Sequence, residues 1–225
     1  MSVHLHREIE KLKMMVLNLG ALVEQDVHDA VQAVVRGDEA TADRVIEQDA
    51  EIDELEIEVE EECLKLLALY QPVAADLRFI IAVLKINNDL ERIGDKAVAI
   101  AKRSKLLIRN ELFMTAFDFT GMAAKVQTML REALNALVNA DAELALRIRV
   151  MDDEVDTMLR DMNARIKAQI VAQPDRLDAL MASLDISRHL ERIADHAANI
   201  AEDVIYMVEG EIIRHRVSEQ EPRGS

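Results

Sequence analysis

The chain has 225 residues, a formal net charge of −16 and a pI near 4.8. That balance excludes a nucleic-acid binder, which needs a basic face, and argues equally against an anionic lipid surface; it favours cations or protein partners. Half of the residues are hydrophobic, only 3% are aromatic, Gly (6) and Pro (3) are scarce and Trp is absent, which is the composition of long helices.

Other class signals are negative. Met1 to Glu8 lacks the apolar core of a signal peptide, and no long uncharged apolar run occurs, so a soluble, cytoplasmic protein without membrane insertion is expected. The single cysteine, Cys63, has no internal partner, in keeping with a reducing compartment. There is no Gly-rich phosphate loop, Walker sequence or nucleophile–His–acid triad.

Apolar periodicity predicts six helices. The first runs from about Leu5 to Arg36, with Ile9, Leu12, Val16, Leu19, Val23, Val27, Ala30 and Val34 on one face. Gly37 ends it and Asp38 is positioned to cap the second, from about Glu39 to Leu69. The second helix's stripe, Ala42, Val45, Asp49, Ile52, Glu56, Val59, Cys63 and Leu66, is interrupted by two acids. Gln71-Pro72 breaks the pattern. The third, about Val73 to Ile108, again turns polar in mid-seam, at Asn87 and Glu91, between Leu77, Ile80, Leu84 and Val98.

Arg109 to Thr120 is irregular and reads as a join, with Phe113, Phe117 and Phe119 packing under it. The pattern then repeats: a fourth helix from about Gly121 to Asn139, a fifth from Ala142 to Val171 and a sixth from Asp175 to Glu209, followed by a polar tail. Ala140-Asp141 answers Gly37-Asp38, and Gln173-Pro174 answers Gln71-Pro72. The expected fold is all-α: two tandem, pseudo-symmetric three-helix bundles of six long antiparallel helices. The repeats would divide the chain into residues 1–110 and 111–225.

The strongest repeat signal is Leu90-Glu91-Arg92-Ile93-Gly94-Asp95-Lys96-Ala97, which returns 100 residues later as Leu190-Glu191-Arg192-Ile193-Ala194-Asp195-His196-Ala197. Each octet places two carboxylates four apart, on one helical face. Asp49/Asp53 and Asp152/Asp156 on the preceding helices form the same pair. Measured from the Gln71–Pro72 turn, Asp53 and Asp49 lie about 18 and 22 residues before it, and Glu91 and Asp95 about 20 and 24 after it, so at about 1.5 Å per residue they share a height. The second half gives the same match around Gln173.

Asp49, Asp53, Glu91 and Asp95 in one half, and Asp152, Asp156, Glu191 and Asp195 in the other, are therefore the candidate metal ligands. Clustered, partly desolvated carboxylates are costly unless protonated, paired or metal-bound. All-oxygen donors suit Mg, Ca, Mn, Fe or Zn. The bland alternatives are solvated surface acids, or a salt-bridge network supplied by Arg92, Arg192, Arg44, Arg147 or Arg188. His189 and His196 flank the second motif; a supporting role beside a metal is open to them, although surface histidines fit the pattern better. The methionines read as core filler and Cys63 as a buried core residue.

These motifs resemble the PhoU family of phosphate-signalling regulators over about Leu5 to Gly210. Glu91…Asp95 and Glu191…Asp195 match that family's E/D-x-x-x-D metal motif, with Asp49…Asp53 and Asp152…Asp156 as partner acids. Gln71-Pro72-Val73-Ala74-Ala75-Asp76-Leu77-Arg78 looks like its turn between helices 2 and 3. Ala194, where the first half has Gly94, and a short tail are small departures. The resemblance implies a cytoplasmic, dimeric, metal-binding negative regulator of the phosphate-starvation response. It also implies contact with a phosphate ABC transporter's ATPase subunit and with a sensor histidine kinase. The expectation is a non-enzymatic adaptor. Its rivals are a metal-free structural bundle and a carboxylate-bridged di-iron enzyme, although neither half carries the Glu-x-x-His pairs typical of that chemistry.

Overall fold

A computed structural model of the chain describes residues 3–109 and 119–210. Six long helices make up almost all of it: α1 (Val3–Arg36), α2 (Glu39–Tyr70), α3 (Ala74–Arg109), α4 (Thr120–Asn139), α5 (Ala142–Ala172) and α6 (Leu177–Glu209). All six helices begin within two residues of expectation. The sixth starts at Leu177 because Pro174–Arg176 forms a 3₁₀ turn with Pro at its first position, where a missing N–H costs nothing. Phe119 is buried; Phe113 and Phe117 lie outside the described residues.

The same local chemistry sets the helix starts in both halves. Asp38 accepts hydrogen bonds from the Ala40 and Thr41 amides at 3.0 and 3.2 Å, and Asp141 accepts from Leu144 N at 2.9 Å. Each satisfies donors that the first helical turn leaves free. The preceding residue is left-handed in both turns, Gly37 at φ 66° and Ala140 at φ 50°. Glycine takes that conformation freely, whereas alanine pays about 1 kcal/mol.

Each set of three helices packs as an up-down-up unit, but one core cluster runs through both. The most extensive packing joins α3 to α6, across the repeats, and α1 also packs on α4. Three contacts fix the α3–α6 register: Lys85 Nζ to Asp203 Oδ1 at 3.1 Å, His196 Nδ1 to Asp89 Oδ1 at 2.8 Å, and Arg103 Nη2 to Asp185 Oδ2 at 2.9 Å. Rising numbers on α3 meet falling numbers on α6, so the helices are antiparallel. Midway between the first and last of these contacts, the register sets Gly94 level with Ala194. The pseudo-two-fold relation between the repeats therefore passes through the duplicated octets.

One stripe residue departs from expectation: Leu77, in the first turn of α3, is 38% exposed. Among the described residues no helix is long and apolar enough to cross a membrane.

Candidate metal centre

The two acid quartets lie at mid-length on the flanks of the α3–α6 pair. In the first, Asp49 and Glu91 are half-buried while Asp53 and Asp95 are exposed. In the second, Asp152, Asp156 and Glu191 are half-buried and Asp195 is exposed. The stripe logic explains the split: Asp49, Glu91, Asp152 and Glu191 occupy core-facing positions, and their i+4 partners lie toward the rim.

The carboxylates act on one another as the turn arithmetic requires. Burial pushes the Asp49 carboxyl above its ordinary range, with Asp53 and Asp95 adding and Lys102 opposing. Glu91 is raised by burial and by Asp95, against Arg92, with Asp53 and Glu56 adding. In the second quartet Asp152 is pushed up to about 7, first by burial, then by Asp195, Asp156, Asp153 and Glu191. Glu191 is raised by burial, Asp195 and Asp156, against Arg192. Asp195 is raised by burial and Asp156, against His196 and Arg192. The fit to a cation is thus one of donor chemistry: desolvated, mutually repelling oxygens short of positive charge.

Cationic side chains do not close this deficit. Of the eight acids, Asp95 alone has an ion pair among the described residues, with Lys96 at 3.9 Å. Arg44 instead donates to Thr41 Oγ1 at 2.9 Å. As they stand, no three His, Cys, Asp or Glu side chains among the described residues converge to hold an ion. A groove of about 440 Å³ opens beside the second quartet, lined by Arg149, Asp152, Asp153, Ala198 and Glu202 among others.

Sequence reasoning missed three members of this neighbourhood. Glu56 acts on Glu91 and is itself raised by burial, Glu60 and Asp53; its place on the apolar stripe of α2 was the available signal. Asp26 on α1 is fully buried, yet no motif marks it. His196 is not a surface histidine: it is half-buried and donates to Asp89 across the repeats. His189 is half-buried too, its pKa lowered chiefly by burial. Cys63 is buried as expected, and burial with Glu62 and Glu60 pushes its thiol up to about 12, far from a reactive thiolate.

The chain is similar in sequence and fold to known proteins. The profile of the PhoU domain matches twice, over residues 16–104 and 119–204. The chain is 37% identical over 215 residues to a Pseudomonas putida protein described as a phosphate-specific transport system accessory protein PhoU homolog, covering 95% of this chain and 84% of that protein. A Pseudomonas aeruginosa counterpart is 38% identical, covering 95% and 89%. Among solved structures, PhoU from Pseudomonas aeruginosa superposes with a TM-score of 0.88 at 37% identity, covering 92% of this chain and 99% of that one. The phosphate transport system regulatory protein PhoU from Streptococcus pneumoniae gives 0.85 at 31% identity, covering 92% and 98%. With the duplicated helical unit matched twice by the domain profile and the whole architecture matched by solved PhoU structures, this chain belongs to the PhoU family.

Proposed function

We propose that this chain is a metal-binding accessory protein of a phosphate-transport system that works by protein contact rather than by catalysis. The observation that carries the metal part is the pair of acid quartets, whose half-buried members lie on core-facing stripes with their carboxyls raised and little cationic compensation. Asp49, Asp53, Glu91 and Asp95 would hold one ion or cluster; Asp152, Asp156, Glu191 and Asp195 would hold another. A bound Fe, Zn, Mn, Mg or Ca ion would supply the missing positive charge and cross-link each helix pair.

The transport part is supported by the relatives' descriptions as phosphate-specific transport system accessory proteins. On that footing the protein is a cytoplasmic homodimer and a negative regulator of the phosphate-starvation response. It restrains phosphate uptake by linking the ABC transporter's ATPase subunit to a sensor histidine kinase. Deleting the gene and assaying phosphate-responsive transcripts in high phosphate tests the regulatory reading: derepression is expected, and unchanged repression overturns it. Co-purification with the ATPase subunit and the kinase tests the adaptor role.

A second reading is a metal-free structural bundle, favoured by the open spacing of the acids. Metal content per chain separates the two. Wild type is expected to carry metal that Glu91→Ala with Glu191→Ala removes; metal content indifferent to that double substitution sinks the site assignment.

A further inference from the structure

Asp26 is a buried acid that the two quartets leave unexplained. It lies on α1 with 0% of its surface exposed, and neither carboxylate oxygen has a hydrogen-bond partner. A carboxylate in that state carries a large desolvation cost unless it takes up a proton or a cation.

The fold does not need an acid there, as the second repeat shows. The buried faces of α1 and α4 coincide residue for residue on the register that aligns Asp38 with Asp141: Val23 with Val126, Val27 with Leu130, Ala30 with Ala133 and Ala33 with Ala136. On that register Asp26 answers Met129, also 0% exposed. One core position is thus apolar in one half and acidic in the other.

Asp26 also sits at the height of the first quartet. It lies about eleven residues before the Gly37–Asp38 turn and Asp49 about eleven after it, which places them level on adjacent antiparallel helices. After burial, the influences on its carboxyl are Asp29, Asp49 and Glu51, all of one sign. The Asp26 carboxylate is thus buried, unpartnered and level with Asp49.

We propose that Asp26 is a fifth carboxylate of the first cluster, reaching a divalent cation from the core side alongside Asp49, so that the two clusters are unequal cation sites. The proposal rests on the cation-binding reading of the quartets. Its chemistry follows from hard-cation binding, where affinity rises with the number of anionic oxygens in the shell. The second cluster, backed by Met129, has no such oxygen at this position.

The test uses the full chain and Mn²⁺ alone, followed by titration calorimetry and by Mn²⁺ paramagnetic resonance. In a background with the second cluster disabled (Asp152→Asn with Glu191→Gln), Asp26→Met and Asp26→Asn are each expected to weaken Mn²⁺ binding at least tenfold. In the reciprocal background (Asp49→Asn with Glu91→Gln), Asp26→Met should leave the second cluster's affinity within twofold. Helical circular dichroism guards against misfolding; Met129 shows that this helical position accepts methionine, and the near-isosteric Asp26→Asn gives a second, independent variant. Unchanged first-cluster affinity in both variants overturns the role of Asp26 while leaving the quartets standing. Absence of Mn²⁺ binding by wild type overturns the quartet reading itself, and the Asp26 proposal with it.

Discussion

His196 Nδ1 donates to Asp89 Oδ1 at 2.8 Å, joining two residues 107 positions apart and in different repeats. Asp89 is 9% exposed, so this bond works in a partly desolvated seam, and removing Asp89 leaves the His196 and Asn199 donors without their acceptor. Asp89→Ala is expected to cost about 1–3 kcal/mol in urea unfolding. A double-mutant cycle with His196→Ala should return a coupling of about 1 kcal/mol. A coupling near zero would show that this bond adds nothing to the docking of the repeats.

Gly94 and Ile52 explain why the two octets differ at one position. A Cβ on Gly94 would lie 3.1 Å from Ile52 Cδ1; in the second repeat Ala194 is paired by register with the smaller Val155. Alanine gains up to about 1 kcal/mol of helix propensity over glycine, but here the methyl must displace a buried isoleucine. Gly94→Ala alone is expected to realise little of that gain, and Ile52→Val alone to cost about 0.5–1.5 kcal/mol. Together they should be better than additive by at least about 0.5 kcal/mol, read from denaturation midpoints.

Raised carboxyls give stability a definite pH slope. Asp26 and Asp152 both move from 3.8 to about 7 on folding. Between those values the folded chain binds more protons than the unfolded one, so stability falls as pH rises from about 4 to 7 and stays low above it. For the fully buried Asp26 the effect is at most about 4 kcal/mol. Metal-free protein should therefore have a higher urea midpoint at pH 5 than at pH 8. Asp26→Asn and Asp152→Asn should each flatten the slope; a slope indifferent to both would show that other groups set it.

Divalent cations should act in the opposite sense. A cation binding only the folded chain stabilises it by about 2.7 kcal/mol per site at one hundred times its dissociation constant. Thermal unfolding with and without Mn²⁺ is expected to show this gain at pH 8 and less of it at pH 5, where protons compete for the same oxygens. Glu91→Ala with Glu191→Ala should abolish the gain.

Much of the fold is legible in single residues. Asp38 and Asp141 cap because their carboxylates lie within reach of free amides, and Pro72 and Pro174 end helices wherever they occur. The level of the acids along the helices is legible too, because helical rise is constant and a turn sets the height of everything on either side of it. Asp26 was not: an isolated acid in an acidic chain carries no periodic or motif signal, and its distinction is burial. Glu56 lay on the right stripe but lacked a partner acid in the repeat, where Leu159 stands.

The sequence by itself determined the six helices, their duplication and the pairing of acids within each half, since these depend on local propensity and fixed helical geometry. Only the tertiary structure decided how the halves meet. The antiparallel crossing of α3 and α6 at Gly94 and Ala194, the Asp89–His196 and Lys85–Asp203 bonds, and the burial of Asp26 all depend on which apolar face seats against which. That choice is made by complementarity between surfaces distant in the chain, and no local spacing encodes it.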